Sequence, residues 1–252
     1  SWHGPMALRL ADRYWASKPR MLHMLRGIRD SGWCRRTVYL PPTHPDTPDP
    51  PNISSLDDIA YVARQSGPSE TGLAIFLGED RAMGIMPPFP LPEYNERPGI
   101  HADPLFELLT SEIVTAVILL RLGRYAVGML RGDRLIASKT GTRYVKSKHR
   151  AGGSSQRRFE RSRERLVREF FDKTCEVAHS VFSPYQAEID YVLTGGERHT
   201  LGRFVKRCQY FRDLSPRTLR RVLQIHQPGM RALKDVAYET WKSRVMAFEP
   251  DM

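Results

Sequence analysis

The stretch Thr115–Ser138, TAVILLRLGRYAVGMLRGDRLIAS, decides the fold. It contains three apolar runs, Thr115 to Leu122, Arg124 to Leu130 and Arg134 to Ser138, separated by Gly123 and by Arg131-Gly132-Asp133. β-prone runs joined by short glycine turns predict an antiparallel meander. Downstream, a long helix is expected from about Gln156 to Phe182, burying Phe159, Leu166, Phe170, Val177 and Val181 at helical spacing. A strand at Ile189 to Leu193, a helix at Thr200 to Cys208, a strand at Leu219 to Ile225 and a final helix at Gly229 to Val245 complete the half.

Three antiparallel strands followed by alternating helices and strands predict an α/β class with a mixed α+β sheet. The topology is ribonuclease-H-like: a five-stranded mixed sheet with flanking helices, assigned to residues 113–252. Residues 1–112 read as a smaller N-terminal α/β region with proline-rich loops. Met6, Leu10 and Tyr14, then Met21, Leu22, Leu25 and Ile28, suggest two short helices broken near Lys18-Pro19. Thr37 to Leu40 reads as a strand stopped by Pro41-Pro42, and Leu56 to Ala63 as a helix. Gly72 to Leu77 and Ala82 to Met86 form a hairpin, Pro87 to Pro98 a connector, and Pro104 to Thr110 a short helix.

At 252 residues and 40% hydrophobic, the chain can bury a full core, as one large domain or two small ones. The formal net charge is +11, and the window 139–168 alone holds eleven cations against two acids, Glu160 and Glu164. The charge therefore reads as local, and clustered Lys and Arg point to a nucleic-acid partner or, less often, an anionic membrane. The three cysteines, Cys34, Cys175 and Cys208, include no CxxC pair. They suggest a reducing, cytoplasmic setting, and argue against a disulfide framework and a cysteine zinc site. The longest apolar run, Ala116 to Leu120, is far short of the ~18 residues of a membrane span.

Inside the basic window stands Ala151-Gly152-Gly153-Ser154-Ser155-Gln156. Its plain reading is a strand-to-helix connection with Ser155 as helix cap. No Gly-Lys pair makes it a P-loop, and no Gly-x-Gly-x-x-Gly occurs. A two-metal nuclease needs carboxylates on the first strands; those strands have none, and Asp190 stands alone at the fourth. The eight histidines show no HxxxH spacing, and no Gly-x-Ser-x-Gly elbow is present, so no metal and no cofactor are expected. The remaining chemistry is that of Gln156. Its amide is neither base nor nucleophile, but it can orient a water through its carbonyl oxygen. That suffices for an activated ester when backbone N–H groups hold the oxyanion. Gly152 and Gly153 would supply the hinge. Lys146, Lys148, Arg150, Arg157, Arg158 and Arg161 would meet RNA phosphates, and Tyr144 would stack on a base.

The run Arg143-Tyr144-Val145-Lys146 through Ala151-Gly152-Gly153-Ser154-Ser155-Gln156-Arg157-Arg158-Phe159, continuing to Arg161 and Arg163, resembles the bacterial and archaeal Vms-type (VLRF-like) release factors. Those proteins are similar to the middle domain of the eukaryotic and archaeal translation termination factors. The resemblance implies a codon-independent peptidyl-tRNA hydrolase acting on stalled large ribosomal subunits in ribosome quality control. Its partners would be peptidyl-tRNA and large-subunit rRNA, with no membrane and no DNA. In that reading Gln156 takes the place of the catalytic glutamine, and Gly152 and Gly153 match the paired glycines. Termination factors carry Gly-Gly-Gln contiguously, whereas Ser154 and Ser155 intervene here. The competing reading is a non-catalytic ribosome- or RNA-binding sensor using the same surface.

Overall fold

The computed structural model describes residues 7–44, 58–147 and 154–251. Its elements are β1 (Leu8–Ala16), α1 (Lys18–Ser31), β2 (Arg36–Leu40), α2 (Asp58–Ser66), β3 (Leu73–Leu77), β4 (Ala82–Met86), β5 (Asn95–Pro98) and α3 (Asp103–Thr110). They continue as β6 (Val114–Arg121), β7 (Arg124–Arg131), β8 (Arg134–Thr142), α4 (Ser154–Phe182), β9 (Tyr191–Gly196), α5 (Arg198–Arg207), α6 (Gln209–Asp213), β10 (Thr218–Leu223), α7 (Met230–Glu239) and β11 (Ser243–Pro250). The chain divides into two compact units, Ser1–Ser111 with Glu239–Met252, and Glu112–Tyr238.

The first unit is built on a six-stranded antiparallel sheet in the order β1-β11-β4-β3-β2-β5. Helix α1 begins where expected. Ser17 Oγ accepts from the Arg20 amide at 3.4 Å, a proline stands in the first turn, and Gly32 ends the helix at φ 66°. Met21, Leu25 and Ile28 are its buried stripe.

Three expectations fail in this unit. Residues 8–16, read as a helix, are strand β1, because they pair with Ser243–Pro250 from the far end of the chain. The last expected helix stops at Glu239 and is followed by β11, which lies between β1 and β4. The span 113–252 is therefore not one domain, since its final strand completes the first sheet. The connector Pro87 to Pro98 also contains a strand, β5, paired to β2. A pairing partner distant in sequence overrides local periodicity in each of these cases.

The second unit contains the expected five-stranded mixed sheet, in the order β10-β9-β6-β7-β8. β6, β7 and β8 form the antiparallel meander, β9 runs parallel to β6, and β10 runs parallel to β9. Apolar side chains of β6 and β7, including Ile118, Leu120, Val127 and Met129, meet α4 and the aromatic rings of Phe204 and Phe211. The buried stripe of α4 is Val167, Phe170, Phe171, Thr174, Val177, Ala178 and Phe182. Phe159, Leu166 and Val181, expected in the core, sit half-buried at its margin. Gly196 ends β9 at φ +117°, and a Cβ there would lie 2.1 Å from the Leu120 carbonyl oxygen, so only glycine carries the chain from strand into α5.

Cys175 of α4 and Cys208, between α5 and α6, are joined by a disulfide, contrary to the expectation of reduced thiols. Each cysteine alone reads as a small core residue. Only the packing of α5 and α6 against α4 brings them together across 33 residues of sequence. Cys34 remains free and buried.

Candidate functional site

The basic loop leaves the edge strand β8 and returns through α4. Its descending arm begins at Arg143, whose amide donates to the Gly123 carbonyl at 2.8 Å. The arm is then fastened to α4. Arg163 Nε donates to the Lys146 carbonyl at 3.0 Å, and Lys146 Nζ donates to Ser162 Oγ at 3.0 Å while lying 5.4 Å from the centre of the Phe159 ring. The Arg163 side chain is only 13% exposed, so its charge-assisted bond contributes about 1.5–3 kcal/mol. Lys146 therefore serves as a structural anchor as well as a source of positive charge. Tyr144 sits beside this anchor and is 74% exposed.

Lys148, Arg150, Gly152 and Gly153, together with His149, lie outside the described residues. Helix α4 is already under way at Ser154, so both serines before Gln156 are helical and Gln156 stands in the first turn. Its Nε2 donates to Glu160 Oε1 at 3.1 Å, one helical turn further on. That bond uses one of the two N–H donors of the amide and leaves Oε1, the acceptor end, without a partner among the described residues.

Arg157, Arg158 and Arg161 are exposed and make no hydrogen bond or ion pair among the described residues. The same holds for Arg168, which the sequence reading counted among the cations but did not assign to the site. Its signal was available: 157, 161 and 168 are spaced by four and seven, one stripe of a helix. Other cations of the window are committed internally. Arg143 and Arg165 both reach Glu169, at 3.7 and 3.4 Å. Arg163 lies 3.7 Å from Glu164.

Asp190, the lone acid at the fourth strand, accepts from the Val114 amide at 2.8 Å and returns its own amide to the Val114 carbonyl. It is a clamp between β6 and β9. No helix among the described residues is long and apolar enough to cross a membrane.

The second unit thus carries, on a mixed sheet, a long helix with an exposed arginine stripe. Residues 114–246 match the model of the Actinobacteria/chloroflexi VLRF1 release factor family, and the chain belongs to that family. The resemblance read from the loop is thereby borne out. The chain is 33% identical over 162 residues to peptide chain release factor subunit 1 of Archaeoglobus fulgidus, covering 60% of this chain and 40% of that protein. It is 29% identical over 199 residues to the same factor of Picrophilus torridus, covering 73% and 48%. The chain thus spans less than half the length of these relatives. A crystal structure of the archaeal translation termination factor aRF1 aligns with a TM-score of 0.41 at 19% identity, over 90% of this chain and 73% of that one.

Proposed function

We infer that this protein is a cytoplasmic, codon-independent peptidyl-tRNA hydrolase that frees nascent chains from stalled large ribosomal subunits. In this reading the Glu112–Tyr238 unit is a ribonuclease-H-like release domain. Its partners are peptidyl-tRNA and large-subunit rRNA, with neither DNA nor membrane among them. The observation that carries the reading is the conjunction, on one helix, of Gln156 and four arginines whose amide oxygen and guanidinium groups have no hydrogen-bond or ion-pair partner among the described residues.

The arginines hold the tRNA acceptor end or rRNA through phosphates, and Gly152 and Gly153 let the tip enter a confined site. Lys148 and Arg150 extend the basic approach, and Tyr144 offers a ring to an unstacked base. Gln156 Oε1 accepts a hydrogen bond from the attacking water, whose oxygen adds to the ester carbonyl. Collapse of the tetrahedral species breaks the ester bond and yields a free peptide carboxyl group and a tRNA hydroxyl. Glu160 fixes which end of the amide faces outward.

One observation favours the second reading, a non-catalytic sensor of stalled subunits: Gln156 stands within a helix rather than at a loop tip, which shortens its reach. The two readings separate in a release assay on ribosome–peptidyl-tRNA complexes carrying a labelled nascent chain. Wild type releases peptide, and Gln156→Ala lowers the release rate about 100-fold or more with ribosome binding unchanged. Equal release by both removes Gln156 from the chemistry. Tight, salt-sensitive binding with no release by either selects the sensor.

A further inference from the structure

The arginine stripe of α4 lines a groove of about 390 Å³ formed by Arg157, Glu160, Arg161, Glu164 and Arg168. Two carboxylates in a groove of three guanidinium groups would ordinarily cancel most of its charge. Glu164 stands four residues before Arg168, and Asp172 four residues after it. On an isolated helix both would pair with Arg168, the Glu-before-Arg order being the favoured one.

Helix α5 prevents this. Arg203 Nη2 reaches Glu164 Oε2 at 2.7 Å, and Arg207 grips both oxygens of Asp172 at 2.6 and 2.7 Å. The Arg207 guanidinium holds the Asp172 carboxyl below the usual carboxylate range. Glu160 is occupied from the other side by the Gln156 amide. Every acid within one turn of the groove is therefore hydrogen-bonded by a group outside the stripe; Arg168 acts on Asp172 only through space, and Arg157, Arg161 and Arg168 make no hydrogen bond or ion pair among the described residues.

We propose that this groove is a binding site for an RNA backbone phosphodiester, and that Arg203 and Arg207 are positioning residues that hold it open by neutralising Glu164 and Asp172. This rests on the reading that α4 meets RNA. It deepens that reading by giving α5 a function in binding without contact to the ligand, with Arg168 among the phosphate ligands that α5 keeps available. Removing Arg203 subtracts a charge that does not touch RNA and returns a free carboxylate to the groove, where it competes with phosphate for Arg161 and Arg168.

The test is a double-mutant cycle on the full chain, read by fluorescence anisotropy with a fluorescein-labelled RNA hairpin bearing a single-stranded tail. Wild type, Arg203→Gln, Glu164→Gln, the double variant and Arg168→Gln are titrated over a range of salt concentrations, with thermal unfolding followed in parallel. Arg203→Gln weakens binding about threefold to tenfold at low salt, and Arg168→Gln lowers the salt slope by about one. Adding Glu164→Gln to Arg203→Gln restores affinity to within about twofold of wild type, because the carboxylate, and not the missing arginine, is the cause. A double variant as weak as Arg203→Gln alone overturns the counter-charge role, and an unchanged slope in Arg168→Gln removes it as a phosphate ligand. If Arg203→Gln unfolds, the same cycle on the second pair decides: weakened binding by Arg207→Gln that Asp172→Asn restores supports the counter-charge role, and weakened binding that it does not restore overturns it. Wild type that fails to bind RNA in a salt-dependent way defeats the underlying reading instead.

Discussion

Two basic segments of this chain meet opposite fates. Residues 139–168 hold eleven cations against two acids, and residues 198–221 hold eight against one. By composition both are candidate surfaces for a polyanion. In the structure the first leaves Arg157, Arg158, Arg161 and Arg168 unpaired among the described residues. In the second, four of the eight are committed inward: Arg203 to Glu164, Arg207 to Asp172, Arg212 to the Gln209 side chain and the Lys206 carbonyl, and Arg217 to the Ile189 carbonyl at 2.9 Å. Net charge gives only the total; pairing says which cations are left over. The impression that positive charge is confined to the loop window reflects acids elsewhere in the chain, which hide the second segment in the total.

The difference can be attacked at its strongest link first. The second segment is tied to α4 by the Cys175–Cys208 disulfide, which closes a loop spanning 33 residues of sequence. By the chain-entropy relation such a closure contributes about 3–4 kcal/mol. Cys208→Ala should lower unfolding free energy by that order in urea titration under oxidising conditions and by clearly less under reducing ones, where only a small buried side chain is lost. Equal loss in both would mean that packing, not the crosslink, is responsible.

The next largest effect belongs to the first segment. Changing Arg157, Arg158 and Arg161 together to Gln should weaken RNA binding roughly 100-fold at low salt and reduce the salt slope by about three. Thermal stability should hold or rise slightly, because like charges three and four residues apart are relieved. A drop in stability with an unchanged slope would reverse the assignment of the two segments.

The smallest effect concerns a pair in the second segment. Arg207 lowers the Asp172 pKa through its hydrogen bonds, so the pair stabilises the fold at pH above the unfolded carboxylate value of 3.8. That contribution disappears as pH falls through the lower folded value. Asp172 is more than half exposed, so Arg207→Gln should cost less than ~1 kcal/mol at neutral pH. The deficit should vanish in acid, and a deficit independent of pH would assign Arg207 to packing alone.

Much of the second unit was legible in the sequence. The runs Thr115 to Leu122 and Arg124 to Leu130 sit between glycine turns, and such turns leave few pairings other than a meander. The long helix announces itself by period, although its inner face is turned toward Val167, Phe171 and Phe182 rather than Leu166 and Val181. A small rotation of that kind, with Phe170 and Val177 buried either way, costs little locally and is decided by the sheet beneath. The first unit was less legible. Leu8 to Ala16 carries helix-like spacing, and nothing within it names β11 as a partner.

At the site, the glutamine, the glycine pair and the arginines could be named from residue type and spacing alone. That Lys146 is bolted to Arg163, or that Gln156 spends its donor on Glu160, could not. Such bonds depend on which side chains a helix turns toward a returning loop.

The sequence by itself determined the element order of the second half, the glycine loop and the family, because turn chemistry, periodicity and a contiguous motif act over short stretches of chain. Tertiary structure alone decided that β11 crosses back into the first sheet, that Cys175 meets Cys208, and which arginines are left without a bond among the described residues. Each of those outcomes depends on groups far apart in sequence being brought within bonding distance. Periodicity cannot encode that separation, and only the packed fold reveals which charges have already found a partner.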